Sequence, residues 1–263
     1  MSDELSLSES AGVLTLTLNR PAEMNALNSK LLESIEQAME HASASDHVGV
    51  VVITGAGRAF CAGADLLEAG ELTHDAGSFG TWLKSWQRAF GSIGRCPKPV
   101  IAAINGVALA GGLELALACD VIVASDAARL GDGHIRYGLV PGGGGSKRLP
   151  DAVGSRRARW LMFTGEVLGA ASALEMGLVQ RVFASAVFAE EVQALATTIA
   201  GRSPAALASM KTMTASTLVT DQSLADEIES AVDVVTSADA REGLAAFRAK
   251  REPRFPSLLD RRT

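Results

Sequence analysis

Three segments of this chain repeat one pattern, an apolar run rich in β-branched residues that leads into small residues. They are VGVVVITGAG at 48–57, KPVIAAINGVALAGG at 98–112 and DVIVASDAARLG at 120–131, with helical patterns between them. Continuous apolar runs are typical of strands buried on both faces of a sheet. Strands that alternate with helices indicate an α/β protein. This alternation of strands and helices therefore predicts repeated ββα-like units. The repeats share the hydrophobic pattern but not the amino-acid sequence.

The carboxy-terminal third has a different character. From about residue 151 helical periodicity dominates, and one further strand is predicted in LVQRVF at 178–183. Two long helical segments follow, at 188–216 and 221–250, with no strand between them. We therefore divide the chain into a ββα core of residues 1–195 and a helical region of residues 196–263.

Composition and charge exclude several classes of protein. The net charge of −6 over 263 residues argues against a general nucleic-acid surface. No run approaches the ~18 apolar residues of a membrane span, and the polar, acidic first ten residues are unlike a secretory signal. The three cysteines have neither CxxC spacing nor an even count. We therefore expect a cytoplasmic protein with reduced thiols, no nucleic-acid partner, no membrane partner and no metal.

Two loops concentrate small residues, AGA at 62–64 and AGG at 110–112, and Glu114 follows the second. Glycine after a strand usually makes a turn. The dinucleotide pattern GxGxxG and the phosphate pattern GxxxxGK[ST] are both absent. A helix that starts near Gly111 presents free N–H groups, which can hold a substrate carbonyl oxygen while the Glu114 carboxylate moves a proton. An ordinary carboxylate at a helix start is the alternative.

Five ordered blocks carry a resemblance to a known family. They are NRP and NAL within 19–27, AFCAGADL at 59–66, KPVIAAINGVALAGGLELALACD at 98–120, GLVPGGGGSKRLP at 138–150 and EGLAAFRAKREPRF at 242–255. In these blocks the chain resembles the enoyl-CoA hydratase/isomerase (crotonase) family, from about residue 10 to 256. The resemblance implies an α/β fold, a crotonase-like spiral of repeated ββα units with a C-terminal helical trimerisation region. It also implies a homotrimer or homohexamer.

The resemblance further implies the substrate and the site. The substrate class is an acyl-CoA thioester, so CoA is part of the substrate and no separate cofactor is expected. The N–H groups of Ala64 and Gly111 match the family's oxyanion hole, and Glu114 matches a catalytic glutamate. Contacts to the substrate or CoA carry over to Ala26, Ala62, Asp65, Leu66, Leu67 and Lys250. Lys250 belongs to a terminal basic motif that also contains Arg251 and Arg254, and a solvated basic tail is the alternative.

The chain departs from the family at the second catalytic position. Hydratases of the family use two glutamates that share one water, and the second lies in a G-x-P-E stretch. Here that stretch is GDGHIRYG at 131–138, with His134 in place of the glutamate and Gly133 in place of proline. An imidazole can take or give a proton near neutral pH, and Asp132 could orient it. The alternatives are a His134 that only lines the pocket and an Asp132 that belongs to the surface or to a turn.

We expect an enoyl-CoA hydratase-like lyase with Glu114 and His134 in the acid–base roles. A Δ3–Δ2 isomerase that uses Glu114 alone is one alternative, and a C–C or thioester hydrolase in which His134 activates water is another. A non-catalytic acyl-CoA binder is least favoured, because binding does not require a carboxylate beside the donor loop. The glycine run at 142–145 is expected to let the backbone pass close to the site. The acyl pocket is expected to be shaped by Phe79, Trp82, Leu83 and Trp86, in a helical stretch at 70–94.

Overall fold

Two sheets of unequal size organise the chain in a computed structural model, which describes residues 3–72, 75–215, 237–251 and 253–256. The larger sheet consists, in spatial order, of β1 (Leu5–Ser10), β2 (Val13–Leu18), β3 (Val50–Gly55), β5 (Val100–Ile104), β7 (Val121–Ser125) and β10 (Arg181–Phe183). β1 and β2 are antiparallel, and all other neighbours in this sheet are parallel. Most of the polar first ten residues therefore form an edge strand.

The smaller sheet consists, in spatial order, of β4 (Ala59–Cys61), β6 (Val107–Leu109), β8 (Arg129–Gly131) and β9 (Leu168–Gly169). β4, β6 and β8 are parallel, and β9 is antiparallel to β8. Its strands are short, so the loops that leave them begin close to the sheet.

Each of three neighbouring strands of the larger sheet continues into a strand of the smaller one: β3 into β4, β5 into β6, and β7 into β8. The strands β3, β5 and β7 are adjacent and parallel in the larger sheet, and β4, β6 and β8 are adjacent and parallel in the smaller one. Each successive repeat therefore adds the next strand to both sheets. This confirms the predicted repetition of ββα units.

The apolar runs at 98–112 and 120–131, each interpreted as one strand, are each divided between the two sheets. In the first run the division falls at Asn105 and Gly106. A Cβ atom on Gly106 would lie 2.1 Å from the carbonyl oxygen of Arg58. The chain can therefore change sheets here only because this residue has no side chain.

Helices connect the strands and follow the last one. They are α1 (Ser29–Ala44), α2 (Leu66–Leu72), α3 (Ala76–Arg95), α4 (Gly111–Leu117), α5 (Gly145–Val153), α6 (Ser155–Thr164), α7 (Ala170–Glu175), α8 (Phe188–Ala200), α9 (Pro204–Met213) and α10 (Ala238–Arg248). In the predicted segment 221–250, residues 221–236 lie outside the described part of the chain. Across the described ranges, no helix is both long enough and apolar enough to cross a bilayer.

Helix α8 continues through the boundary that we place between residues 195 and 196. Its buried residues Val192, Ala196 and Ala200 share an apolar cluster with Val13 of β2 and Val50 of β3. The boundary therefore falls inside one helix, and the apolar core extends to the end of α8.

Helix α9 is also fastened to the core. The Lys211 ammonium lies 2.7 Å from the Asp120 carboxylate and donates to the carbonyl oxygens of Ile93 and Lys98 at 3.0 and 3.1 Å. One cation therefore joins α9 to the end of α3 and to the residue that precedes β7.

Helix α4 packs directly on β4, since a Cβ atom on Gly112 would lie 2.0 Å from the carbonyl oxygen of Cys61. We expect Gly112→Ala to lower the free energy of unfolding by roughly 1–3 kcal/mol, because the helix must move to admit a methyl group. Gly94→Ala is the matched control, since nothing lies within 4 Å of its Cβ position. The control should leave stability unchanged or raise it by up to about 1 kcal/mol. Urea titration measures both, and equal losses would contradict the close contact.

Candidate active site

Three loops that follow equivalent strands of the smaller sheet converge. Ala64 follows β4, Gly111 follows β6, and Asp132 and His134 follow β8. Because these strands are adjacent and parallel, their carboxyl ends lie along one edge of the sheet. That edge is where open α/β sheets place ligands. Each turn of the ββα spiral therefore contributes one segment to the site.

Ala64 lies in an extended segment that pairs with Leu27. The Leu27 N–H donates to the carbonyl of Gly63 at 2.7 Å, and the Asp65 N–H donates to the carbonyl of Leu27 at 2.9 Å. This parallel bridge uses the groups on either side of Ala64 and leaves its own N–H outside the ladder. Among the described residues that N–H has no protein acceptor.

Gly111 is the first residue of α4, so its N–H has no acceptor within the helix. The preceding Ala110 has φ 48° and ψ −118°, a conformation that residues with a side chain rarely adopt. Since ψ of Ala110 sets the plane of the next peptide, this strained residue determines where the Gly111 N–H points. Strain of this kind costs about 1–3 kcal/mol and clusters at functional sites.

The two small-residue loops touch. A Cβ atom on Gly63 would lie 3.2 Å from Cβ of Ala110 and 3.3 Å from the amide nitrogen of Gly111. A Cβ atom on Gly111 would lie 3.5 Å from Cα of Gly63. The main chain next to Ala64 therefore lies against the Gly111 amide, as a shared oxyanion hole requires.

The Glu114 side chain is 2% exposed and is held by the backbone. Its Oε1 accepts hydrogen bonds from the N–H groups of Gly143 at 2.9 Å and Gly145 at 2.8 Å. A Cβ atom on Gly145 would lie 3.0 Å from Oε1, so the backbone can come this close only where side chains are missing. The glycine run thus passes over the carboxylate, as the sequence predicts.

His134 lies between two carboxylates at the start of a 3₁₀ turn, His134–Tyr137. Its Nδ1 is 3.2 Å from Oδ1 of Asp132, and its Nε2 is 3.6 Å from Oε2 of Glu114. Asp132 is buried, so the alternative of a surface position for Asp132 is wrong. The segment that departs from the family pattern therefore lies in the same site as Glu114.

The surroundings of the pair shift both pKa values upward. Burial raises the pKa of Glu114, against the opposing effects of the Gly145 N–H, the charge of His134 and the Gly143 N–H. Burial by itself lowers the pKa of His134, but the hydrogen bond and charge of Asp132, together with the charge of Glu114, raise it above its ordinary value. Shifts of this kind are typical of groups that exchange protons.

A row of aromatic side chains on α3 forms one wall of the site. Its members are Phe79, Trp82, Trp86 and Phe90, with successive ring centroids 5.6, 5.2 and 5.6 Å apart. A Cβ atom on Gly111 would lie 2.3 Å from Cζ3 of Trp86, and one on Gly142 would lie 2.6 Å from Cδ2 of Leu83. The predicted pocket helix therefore packs between the Gly111 loop and the glycine run.

The Asp65 carboxylate is engaged within the protein. It pairs with Arg20 at 2.8 Å and accepts the N–H of Leu67 at 3.1 Å, at the start of α2. Burial opposes ionisation of Asp65, but the hydrogen bond from Arg20 and the N–H groups of Glu68 and Leu67 outweigh it and lower the pKa. Arg20 also donates to the carbonyl of Ala26. This ion pair therefore fixes the loop that carries Ala64.

The other predicted contacts near Ala64 differ in exposure. Leu66 and Leu67 are 54% and 85% exposed at the start of α2. Ala26 is buried, and the half-buried Ala62 donates its N–H to the carbonyl of Met24 at 3.0 Å. The loop thus presents two open apolar side chains next to a firmly bonded backbone.

The terminal basic motif is partly neutralised. Arg251 makes two hydrogen bonds to the Glu242 carboxylate, at 2.6 and 3.0 Å, and the N–H of Arg254 donates to it at 2.7 Å. These contacts, led by Arg251, lower the pKa of Glu242 to about 2. Lys250, just after α10, and Arg254 are also exposed, and the contact of Arg254 with Glu242 uses its backbone N–H and not its guanidinium.

The three cysteines are free thiols. Burial raises the pKa of Cys61 to about 12, which disfavours the thiolate that a cysteine nucleophile needs. Across the described ranges, no group of three histidine, cysteine or acidic side chains could hold a metal ion.

Sequence reasoning missed the groups that hold the site residues in place. The roles of the Gly143 and Gly145 N–H groups and of Arg20 were not foreseen. The only signal was the glycine run itself, which indicated a close approach without naming what it approaches. Nothing in the amino-acid sequence indicates the backbone conformation of Ala110.

Comparisons with known proteins agree on one family. Residues 8–257 match the family model described as enoyl-CoA hydratase/isomerase. The chain is 40% identical over 258 residues to a probable enoyl-CoA hydratase of Rhizobium meliloti, covering 97% of this chain and 99% of that protein. It is 42% identical over 256 residues to the 2,3-dehydroadipyl-CoA hydratase of Escherichia coli, covering 96% and 98%. The crystal structure of enoyl-CoA hydratase from Bacillus anthracis superposes with a TM-score of 0.92 at 34% identity, covering 97% of this chain and all of that one.

The strain at Ala110 can be measured by removing its side chain. We expect Ala110→Gly to raise the free energy of unfolding by about 1 kcal/mol, because glycine adopts a positive φ without steric cost. Ala194→Gly, at an exposed position inside α8, is the control and should lower it by about 1 kcal/mol. Thermal melts of the two variants measure the change in stability. Stabilisation by Ala110→Gly with destabilisation by Ala194→Gly supports the strained conformation, and destabilisation by both would exclude it.

Proposed function

Because the chain belongs to the enoyl-CoA hydratase/isomerase family, we propose that it adds water across the double bond of a 2-enoyl-CoA thioester. The relatives that support this choice span almost the whole chain, and both are named as hydratases. The choice between hydration and the other activities of the family depends on the residues around Glu114.

The observation that carries the proposal is the pairing of Glu114 with His134. Their facing atoms, Oε2 and Nε2, lie 3.6 Å apart, so one water oxygen can lie about 2.8 Å from both. Hydration needs two proton-exchanging groups at one water, whereas double-bond isomerisation needs a single carboxylate. His134 thus takes the place of the family's second glutamate.

The proposed reaction begins with ionised Glu114 removing a proton from that water while its oxygen bonds to C3 of the enoyl group. The electron pair of the C2=C3 bond moves toward the thioester carbonyl, whose oxygen we assign to the N–H groups of Ala64 and Gly111. Each donor of this kind contributes roughly 3–4 kcal/mol to a transition state. C2 then takes a proton from the imidazolium of His134. Transfer of a proton from Glu114 to His134 restores the resting pair.

The remaining contacts are assigned by their place around Ala64. We assign Leu66 and Leu67, with Ala26 and Ala62, to the thioester and pantetheine side, because they flank the Ala64 loop. The aromatic row on α3 is assigned to the acyl side, because Trp86 lies against Gly111. Lys250 is assigned to the phosphates of CoA, since it is exposed and positively charged.

Assembly and cellular context follow the family. The proposal includes a homotrimer or homohexamer in which the helical region after residue 195 takes part, and no cofactor besides the CoA of the substrate. The proposed compartment is the cytoplasm. The unpaired state of the cysteines supports a reducing compartment.

The fate of labelled oxygen distinguishes the reactions. With a short 2-enoyl-CoA in ¹⁸O-labelled water, we expect label in a 3-hydroxyl group of the product. Label in a free carboxylate would instead identify a hydrolase. Migration of the double bond without label would identify an isomerase.

Substitution of the pair tests its roles. Glu114→Gln and His134→Gln should each lower kcat for hydration by about 10²–10⁴-fold, because each removes a proton-transfer group without changing size greatly. The Kd for a saturated acyl-CoA, measured by calorimetry, should stay the same. Glu33→Gln, an exposed glutamate on α1, is the control and should retain full activity. A His134→Gln variant with wild-type turnover would remove His134 from the mechanism.

A further inference from the structure

We propose that Asp132 is a positioning residue for the reaction: it binds the Nδ1 hydrogen of His134 and so keeps a second hydrogen on Nε2, directed at Glu114. This inference rests on the proposed function and assigns a role to a residue outside the pair that exchanges protons. The proposed site then consists of three groups in contact, with His134 between Asp132 and Glu114.

The contacts of Asp132 converge on His134. Its Oδ1 lies 3.2 Å from Nδ1 of the ring and 3.4 Å from the backbone nitrogen of the same residue. The Asp132 side chain is 4% exposed, and the His134 side chain is 12% exposed. Within the described ranges, this buried carboxylate accepts hydrogen bonds only from His134. A buried carboxylate is costly unless it is paired, and its partner here is the imidazole.

Asp132 itself is held by the fold. It directly follows β8, and the carbonyl of the preceding Gly131 accepts the N–H of Ala110 at 3.0 Å. Ala110 is the residue that directs the Gly111 amide. One backbone hydrogen bond therefore ties the position of Asp132 to that of the proposed oxyanion hole. The imidazole ring and the substrate carbonyl are in this way positioned by the same part of the backbone.

The two ring nitrogens decide what His134 can do. A neutral imidazole carries one hydrogen, and its other nitrogen is an acceptor. Here both nitrogens face carboxylate oxygens, and an ionised carboxylate only accepts. Hydrogens on both nitrogens satisfy this arrangement, and that form can give a proton to carbon from Nε2. Without the Asp132 carboxylate, the hydrogen on Nδ1 has lost its acceptor, and the doubly protonated ring is less stable.

The other cations nearby are directed at main-chain oxygens. Arg136, in the same 3₁₀ turn, donates to the carbonyl of Gly165 beside α6, and Arg148 of α5 donates to the carbonyl of Gly143. The charges that act on the imidazole pKa are those of Asp132 and of Glu114 from α4, and both raise it. Loss of Asp132 therefore lowers the pKa, and the charged ring is lost at a lower pH.

Asp132→Asn tests the role because it keeps the size of the side chain and removes the charge. The high-pH limb of the kcat/KM profile should move to lower pH by about one unit or more, so that activity above the limb falls about tenfold or more. Activity at low pH, where the ring stays charged, should fall much less. Asp132→Glu keeps the charge and should hold the limb nearer its wild-type position.

Asp120→Asn is the matched control, since Asp120 is a half-buried carboxylate with its own partner, Lys211. It should lower the Tm but leave the high-pH limb in place. If the high-pH limb shifts in both Asp132→Asn and Asp120→Asn, the effect of losing a carboxylate is general. If it shifts in neither, the effect is absent. Either result would overturn the positioning role.

Nitrogen-15 NMR of the imidazole gives a readout that does not need turnover. His134, assigned by the loss of its signals in His134→Gln, should keep both ring nitrogens protonated to a higher pH in the wild type than in Asp132→Asn. A wild-type ring that loses its second proton at or below the pH of an ordinary imidazole would overturn the proposal even if the variant failed to fold. A charged ring in a protein that forms no 3-hydroxyacyl-CoA would instead keep the inference about the ring and reject the proposed function.

Discussion

A carboxylate held by main-chain N–H groups inside the protein is the interaction on which this site depends. Burying the charge of Glu114 is unfavourable unless hydrogen bonds replace water. The amides of Gly143 and Gly145 do so at one oxygen and leave the other facing His134. Because side chains at these glycines would collide with Glu114 or Phe90, a buried Glu114 carboxylate requires that no side chains lie opposite it.

The smaller sheet turns that local requirement into a complete site. Its parallel strands β4, β6 and β8 end side by side, so the loops after them meet without any long excursion of the chain. The close packing leaves little room, which is why alanine and glycine fill both loops. It also holds Ala110 in a conformation that costs energy locally and that the surrounding hydrogen bonds sustain.

Much of the fold and several site residues could be predicted, because they depend on local pattern. The apolar runs indicated the strands, and the small-residue loops indicated where the backbone comes close to something. The division of each run between two sheets was not predictable, since periodicity does not report which neighbour a strand pairs with. Nor was the ion pair of Asp65 with Arg20, which joins residues 45 positions apart. The boundary at residue 195 rests on helical periodicity, which does not report that α8 packs on β2 and β3.

The sequence by itself determined the family and the repeating units and proposed which groups react, because each of these is a matter of residue type and order. Only the tertiary structure decided how those groups face one another. It placed Asp132, for which a surface or turn position was the alternative, in the interior beside His134, and it set the ring between two carboxylates. The physical reason is that burial and proximity arise from the packing of distant segments. The protonation of an imidazole depends on which charges that packing brings near, and no local pattern contains that information.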